Sequence, residues 1–276
     1  MSKIWRNASI HIVLWIIFAG MLFPIWVMFS TSLQSYENIF NWPPEWFPDN
    51  PQWSNYITVW FGDYQFKTPF VNSLIVASMT ALITILLSFP ASYALSRFTF
   101  VGRNSILFIV LVTQMFSPLV LIVGLYKMAQ TYNLLNTFTG LIITNCALTL
   151  PMAVWLLHGY LKSIPESIEY AAFVDGCSRI SGIFRIVMPL SAPGIAMVAI
   201  YSFIMAWNDL LIPLIFISKP EMRPVSLALT DFVGQNIVYW HEMMAASVLT
   251  TVPIAVMFSF VQKYFIKGFM SGAVKE

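Results

Sequence analysis

Few side chains in this sequence can do chemistry, and they fall in two places. The first is Trp207-Asn208-Asp209, where an amide and a carboxylate interrupt an otherwise apolar run. An acidic side chain at mid-membrane costs about 2.5 to 3.5 kcal/mol on insertion scales, so it needs a polar cavity or a partner. Two roles fit Asn208 and Asp209: lining a hydrophilic path, or hydrogen bonding one helix to another. Gln114, Ser117 and Asn145 are neutral polar residues in other apolar runs, and the same two roles are open to them. His158, near the end of a run, reads as structural. The second place is the polar interval 163–190, which opens on helix-start chemistry. Ser163 and Glu166 have capping-box spacing, with Pro165 expected inside the first turn. Ile164, Ile168, Ala171 and Ala172 fall on one helical face, which the two alanines keep thin enough for close approach to another surface. Gly176 is expected to end that helix in a left-handed conformation, and a second short helix is expected from about Ser178 to Pro189.

Several chemistries lack their parts. The sequence has no G-x-x-x-x-G-K-[ST] run to cradle nucleotide phosphates, no H-E-x-x-H pair and no Cys/His cluster at metal-ligand spacing. No serine or cysteine is flanked by an obvious base inside an apolar run. A metal site, a nucleotide site and an intramembrane catalytic pair are therefore not expected. Cys146 and Cys177 fall in an apolar run and in the polar interval respectively, so a disulfide framework is not expected either.

The elements that must position these residues follow from composition. The 276 residues are 58% hydrophobic and 9% charged, against about 25% charged in an ordinary soluble domain. Such a chain cannot cover itself with polar surface, and it reads as a membrane protein bathed in lipid. A net charge of +2 gives no reason to expect nucleic acid. Six runs have the roughly 20 apolar residues that cross a bilayer: about 11–30, 69–95, 105–129, 138–161, 192–217 and 243–266. The first is too long for a signal-peptide core and reads as a retained span. The expectation is a single all-α, polytopic membrane domain over 1–276, with six transmembrane helices.

Orientation follows from Lys and Arg in the intervals. With the amino terminus inside, Lys3, Arg6, Arg97, Arg103, Lys162, Arg179, Arg185, Lys263, Lys267 and Lys275 are cytosolic, against Lys67, Lys127, Lys219 and Arg223 outside. Both termini and the 163–190 interval are thus expected in the cytosol. The outer interval 31–68 is rich in Trp and Pro. Trp42, Trp46, Trp60 and Trp240 suit interfacial anchoring, with reception of a delivery protein as the other role. Every expected span holds a proline (Pro24, Pro90, Pro118, Pro151, Pro213 and Pro253), which predicts kinked helices. An exposed helix–Gly–helix elbow between two spans then predicts docking to a soluble partner.

The elbow resembles the EAA loop of ABC-importer permeases, E-A-A, three residues, G, nine residues, I-x-L-P. Ala171, Ala172, Gly176, Ile186 and Pro189 match at that spacing, and Asp175 fits the DG form of sugar permeases. Tyr170 stands where the pattern has glutamate, with Glu169 adjacent, and Met188 stands where it has leucine. Asn55-Tyr56, Val71-Asn72-Ser73, Ala91 to Phe98 with Gly102-Arg103, Gln114-Met115, Leu134 to Thr137, Leu150-Pro151, Trp207-Asn208-Asp209 and Gly272 to Lys275 also look like carbohydrate-uptake permeases, in order. The chain is most similar to the smaller, six-span permease of maltose-type importers.

The resemblance implies a heterodimer with a second permease, two cytosolic ATP-binding subunits and an extracytoplasmic solute-binding protein, in the plasma (inner) membrane of a prokaryote. ATP and Mg would be used by the ATPase subunits, with no cofactor on this chain. It implies ATPase coupling through Pro165, Glu169, Tyr170, Ala171, Ala172, Asp175, Gly176, Ile186 and Pro189. It also implies a tail, Gly272, Ala273, Val274 and Lys275, reaching the ATPases. A substrate path would use Gln114, Asn145, Trp207, Asn208 and Asp209, whose aromatic face and polar groups suit a hydroxyl-rich ligand. Other readings are a permease for a non-sugar solute and a carrier that works alone.

Overall fold

Helix covers nearly all of the apolar sequence, because a backbone in hydrocarbon must satisfy its own hydrogen bonds. The computed structural model describes the backbone of residues 2–273 except Asp63, Gln235 and Asn236, and the side chains of most residues from 10 to 260. The helices of six residues or more are α1 (Ser2–Ser32), α2 (Ser54–Phe61), α3 (Lys67–Arg97), α4 (Arg103–Thr113), α5 (Pro118–Thr131), α6 (Phe138–Ser163), α7 (Glu166–Val174), α8 (Arg179–Leu190, with a π-helical stretch at Ile183–Val187), α9 (Ala192–Asn208), α10 (Leu211–Phe216) and α11 (Trp240–Ala273). Among the described residues there is no strand beyond one isolated bridge between Val233 and Val238. The all-α architecture expected from the sequence is the one observed.

Four stretches are long and apolar enough to cross a membrane unaided: Ile10–Ser32, Lys67–Arg97, Phe138–Ser163 and Trp240–Phe260. Two bent pairs bring the number to six if each is one span, α4 with α5 at 98° and α8 with α9 at 72°. The third expected run is therefore not one kinked helix. Pro118 forces Ser117 out of the α region, to φ −63° and ψ 135°, and then starts α5 as its first residue. The fifth run also breaks, at Asp209, which is extended at φ −69° and ψ 118° before α10 begins. Pro213 sits early in that short helix, while Pro24, Pro90, Pro151 and Pro253 lie inside long ones. Four prolines interrupt continuous helices; the other two belong to breaks.

The chain divides into two compact units, residues 1–67 with 228–252 and residues 68–227 with 253–276. In the first, the Trp-rich segment is tied down by backbone capture. Ser30 donates to the Trp46 carbonyl at 2.9 Å, Gln34 to that of Glu45 at 2.6 Å, and Asn55 to those of Ser32 and Gln34, both at 2.9 Å. Trp46 lies against Phe23 and Phe47 against Trp26, whereas Trp42 is fully exposed. Burial pushes the Tyr56 phenol above its ordinary value, opposed by its 2.7 Å bond with the Ser32 hydroxyl.

In the second unit, α3, α6 and α9 form the core. The buried face of α3 carries a small hydroxyl every fourth residue: Thr80, Thr84, Ser88, Ser92 and Ser96. That stripe lets α6 approach closely, since small residues thin the contact and their hydroxyls bond across it. Thr84 meets the Thr149 hydroxyl at 3.2 Å, and Ser92 donates to the Val154 carbonyl at 3.0 Å. On the far side of α6, a β-carbon on Gly194 of α9 would come 2.7 Å from the Tyr160 ring. One apolar cluster, Phe89, Tyr93, Leu157, Leu161, Ile164, Val187 and Val198, gathers at the elbow end of these helices. Another, Val76, Leu141, Ile212, Phe216 and Leu227, gathers at the opposite end. There Asn72 donates to the carbonyls of Glu221 and Arg223, and Asn136 accepts from the backbone of Ser218 and Lys219.

Candidate coupling elbow and membrane cavity

The elbow begins where α6 ends. Ile164 is extended and Pro165 (φ −59°, ψ 132°) is the residue before the helix, which starts at Glu166. The expected capping box does not form. Ser163 is the last residue of α6, and its hydroxyl turns back to the Tyr160 carbonyl at 2.7 Å, out of reach of α7. Proline cannot donate, so one of the helix-start donors is removed rather than capped, and Glu166 and Glu169 place negative charge in the first turn. The other end matches expectation. Gly176 adopts φ 87°, its N–H bonds the Phe173 carbonyl, and the Cys177 N–H bonds that of Ala172. This pair of bonds is the Schellman arrangement that closes a helix. Ser178 then caps α8 by accepting from the Ser181 N–H at 3.3 Å.

The faces of α7 differ from the expected ones. Ala172 and Glu169 are the residues turned into the protein, with Ile164 beside the joint. Ile168, Tyr170, Ala171 and Val174 face outward, Tyr170 at 61% exposure and Val174 at 87%. The four-residue face inferred from spacing is thus split. Buried Glu169 accepts from Arg97 Nε at 2.6 Å and from the Tyr93 hydroxyl at 3.0 Å. Both charged side chains retain 7% exposure. Arg97 also donates through Nη2 to the Ile164 carbonyl at 3.1 Å, so one guanidinium holds both sides of the α6–α7 joint. Arg179 of α8 lies 4.9 Å over the Phe98 ring, pinning the second elbow helix to the same end of α3. Asp175 is exposed after the last turn of α7, Ile186 is half-buried in the π-helical stretch, and Pro189 is exposed in the last turn of α8.

Polar residues from three of the apolar runs meet in one cavity of about 460 Å³, formed where the α4–α5 and α9–α10 breaks face α6, and Ser117 is not among them. Gln114, Asn145, Asn208 and Asp209 line it, together with Thr113, Thr149 and Tyr201 and a larger apolar wall. Trp207 does not line it: it is 2% exposed, stacked on Phe203 with ring centres 5.5 Å apart, and edge-on to Phe70. Its indole is core. Asp209 Oδ1 accepts from the Leu211 and Ile212 N–H groups at 3.1 and 3.4 Å, capping α10, and Oδ2 accepts from Asn145 at 3.4 Å. Asn145 also donates to the Leu141 carbonyl, and Gln114 to that of Leu148 at 3.5 Å. Asp209 therefore does two things, ending one helix and starting the next while presenting a carboxylate edge at the cavity wall. Ser117 is the extended residue at the other break.

Sequence reasoning missed Arg97 and Tyr93. Both stand in the Ala91–Phe98 stretch, but an arginine closing an apolar run looks like any interfacial cation. It missed Thr149 and Tyr201 because single polar residues in a span carry no directional signal. Of the expected tail only the backbone of Gly272 and Ala273 is described, and Val274 and Lys275 lie outside the described residues. Among the described residues no cluster of three or more His, Cys, Asp or Glu is placed to hold a metal ion.

Residues 85–270 match the family described as binding-protein-dependent transport system inner membrane component. The sulfoquinovosyl glycerol transport system permease protein SmoH of Agrobacterium fabrum is 35% identical over 92% of this chain and 89% of its own length. The diacetylchitobiose uptake system permease protein DasC of Streptomyces coelicolor is 30% identical over 99% and 98%. The trehalose/maltose transport system permease protein MalG of Thermococcus litoralis is 37% identical over 74% of each. In fold, the chain is similar to a chain in the crystal structure of a bacterial ABC transporter involved in import of the acidic polysaccharide alginate, with a TM-score of 0.82, 22% identity and coverage of 96% and 98%. With its broken spans, its exposed elbow and these relatives, the chain belongs to the binding-protein-dependent inner-membrane permeases of ABC importers.

Proposed function

We propose that this chain is one membrane-spanning permease subunit of an ATP-driven importer of a sugar or oligosaccharide. It forms the translocation path with a second permease and takes its work from two cytosolic ATP-binding subunits, which use ATP and Mg. An extracytoplasmic binding protein delivers the solute, and both termini are cytosolic. The observation that carries this reading is the elbow: a closed two-helix unit whose outward face is apolar and exposed at Ile168, Tyr170, Ala171 and Val174. A patch of that kind at the end of a membrane bundle fits a hydrophobic groove on a soluble partner. Tyr170, in the position of the family glutamate, makes this contact aromatic where an ionic one is usual. The carbohydrate class is supported by the relatives named for sulfoquinovosyl glycerol, diacetylchitobiose and trehalose/maltose. The cavity adds support, since hydroxyl-rich ligands need amide and carboxylate partners such as Gln114, Asn208 and Asp209.

The docking test is Val174→Arg, which puts a bulky cation on the outward face without touching the packed one. ATPase subunits are expected to co-purify with the native chain and to be lost from the variant. Full retention of the ATPase subunits in Val174→Arg, with undiminished ATP-driven uptake of a radiolabelled disaccharide by proteoliposomes, overturns the docking reading. A native complex that concentrates none of a panel of labelled mono- and disaccharides overturns the carbohydrate reading alone.

A further inference from the structure

The elbow must pass its movement to the bundle, and the connections on the page are unequal. To α6 it is joined by the chain itself, through the extended pair Ile164–Pro165, which has no helical hydrogen bonds to stiffen it. To α9 it is joined through the bend at Ser191. To the end of α3, some 70 residues earlier in sequence, it is joined by side chains alone. Arg97 Nε bonds Glu169, Arg97 Nη2 bonds the Ile164 carbonyl, and the Tyr93 hydroxyl bonds the second Glu169 oxygen. Phe98 lies under Arg179, and Tyr93 packs in the cluster that also holds Ile164 and Val187. A buried ion pair with its remaining valences filled resists separation strongly, because parting it strands a charge in apolar surroundings. A guanidinium that bonds in two directions at once also fixes geometry, not only distance.

We infer that Arg97, Glu169 and Tyr93 form a strut that makes α7 and the cytosolic end of α3 one rigid body, so that α3 is the span the elbow pulls directly. The inference rests on the elbow being the ATPase contact. Arg97 and Glu169 are positioning residues in it. The joints to α6 and α9 act as hinges, and the strut is where the two elbow helices are held.

The experiment uses the assembled complex with spin labels at Glu166→Cys on α7 and Leu87→Cys on α3, in a Cys146→Ala, Cys177→Ser background. Pulsed dipolar spectroscopy reads the label-to-label distance in the nucleotide-free state and after trapping with ATP and vanadate. With the strut intact, one narrow distribution is expected, unchanged between the two states. In Arg97→Met or Glu169→Gln the distribution is expected to broaden and to shift on trapping, with the ATPase subunits still bound. Glu169→Gln keeps side-chain shape and the Tyr93 bond, so it carries the test if Arg97→Met fails to assemble. A shift on trapping with the strut intact, or variants indistinguishable from it, overturns the strut. Failure of the docking reading is seen separately, as ATPase retention in Val174→Arg.

Discussion

Two carboxylates of the second unit, Glu169 buried and Asp209 half-buried, are held in opposite ways. Glu169 faces a full cation at 2.6 Å and a phenol at 3.0 Å. Asp209 faces only neutral donors, two backbone N–H groups and the Asn145 amide, with its outer edge at a cavity. A carboxylate neutralised by arginine is fixed in place and closed to other ligands. One held by neutral dipoles has no compensating cation beside it and can still accept a hydrogen bond from something in the cavity. Under the proposed function, the elbow carboxylate serves mechanics and the cavity carboxylate serves contact.

The widest separation between the two is expected on removing a partner. Arg97→Met leaves Glu169 buried without its cation, a change of about 3–5 kcal/mol in comparable sites. It should lower the detergent-solubilised protein's midpoint of unfolding in guanidinium more than any single change at the cavity. Replacing both partners, Arg97→Met with Glu169→Leu, should recover most of that loss, because an apolar pair of similar volume is often neutral. Should the double variant be as unstable as Arg97→Met, the pair is not the source of the cost and the comparison of the two carboxylates breaks.

At Asp209 the expected loss is smaller. Asp209→Ala removes the cap of α10, an effect of about 1 kcal/mol at helix starts. Its partners are N–H groups that a local adjustment can serve otherwise. The sharper reading is uptake: a proteoliposome assay should show Asp209→Ala impaired well beyond its stability loss, and Asp209→Asn impaired while nearly as stable as the native chain. If both variants transport normally, the carboxylate is a helix cap and nothing more.

How much of this was legible before the structure depends on whether the signal was local. Gly176 was readable because a left-handed helix end is a property of one residue and its neighbours, and φ 87° follows. The membrane class and the all-α fold were readable because composition and run length are properties of the whole chain. The capping box at Ser163 misled because the same four-residue spacing served the end of α6, where the hydroxyl bonds backward. The thin face containing Ala171 misled because periodicity finds which residues share a side, not which side is covered. Arg97 and Glu169 are 72 positions apart, and nothing in a single sequence pairs them. The breaks at Pro118 and Asp209 were visible as residues but not as breaks, since a proline in a membrane helix kinks one chain and ends another. Their role in opening the cavity needed the fold.

Gly176→Ala tests the elbow's own geometry. An alanine held near φ 87° is strained by about 1 kcal/mol or more, while a β-carbon there meets no neighbouring atom within 4 Å. The loss should therefore come from backbone alone, be absent in Gly176→D-Ala made by semisynthesis, and leave the cavity unaffected. A change in uptake selectivity on Gly176→Ala would mean that elbow and cavity are not the separate regions drawn above.

The smallest effect lies on the line between them. Thr84 of α3 meets Thr149 of α6 at 3.2 Å, and Thr149 lines the cavity while α3 carries Arg97 at its end. Hydrogen bonds between membrane helices average about 0.6 kcal/mol in double-mutant cycles, because the separated helices find other partners. Thr84→Val, which preserves shape, should cost about that much, and a cycle with Thr149→Val should return a coupling of the same size. Thr84 also has the Cys146 thiol at 3.7 Å, so a coupling near zero would mean that the hydroxyl turns to sulfur when Thr149 is gone. A coupling several times larger would mean that the α3–α6 seam is a rigid contact through which the elbow and the cavity carboxylates act together, and their separation into mechanics and contact would no longer hold.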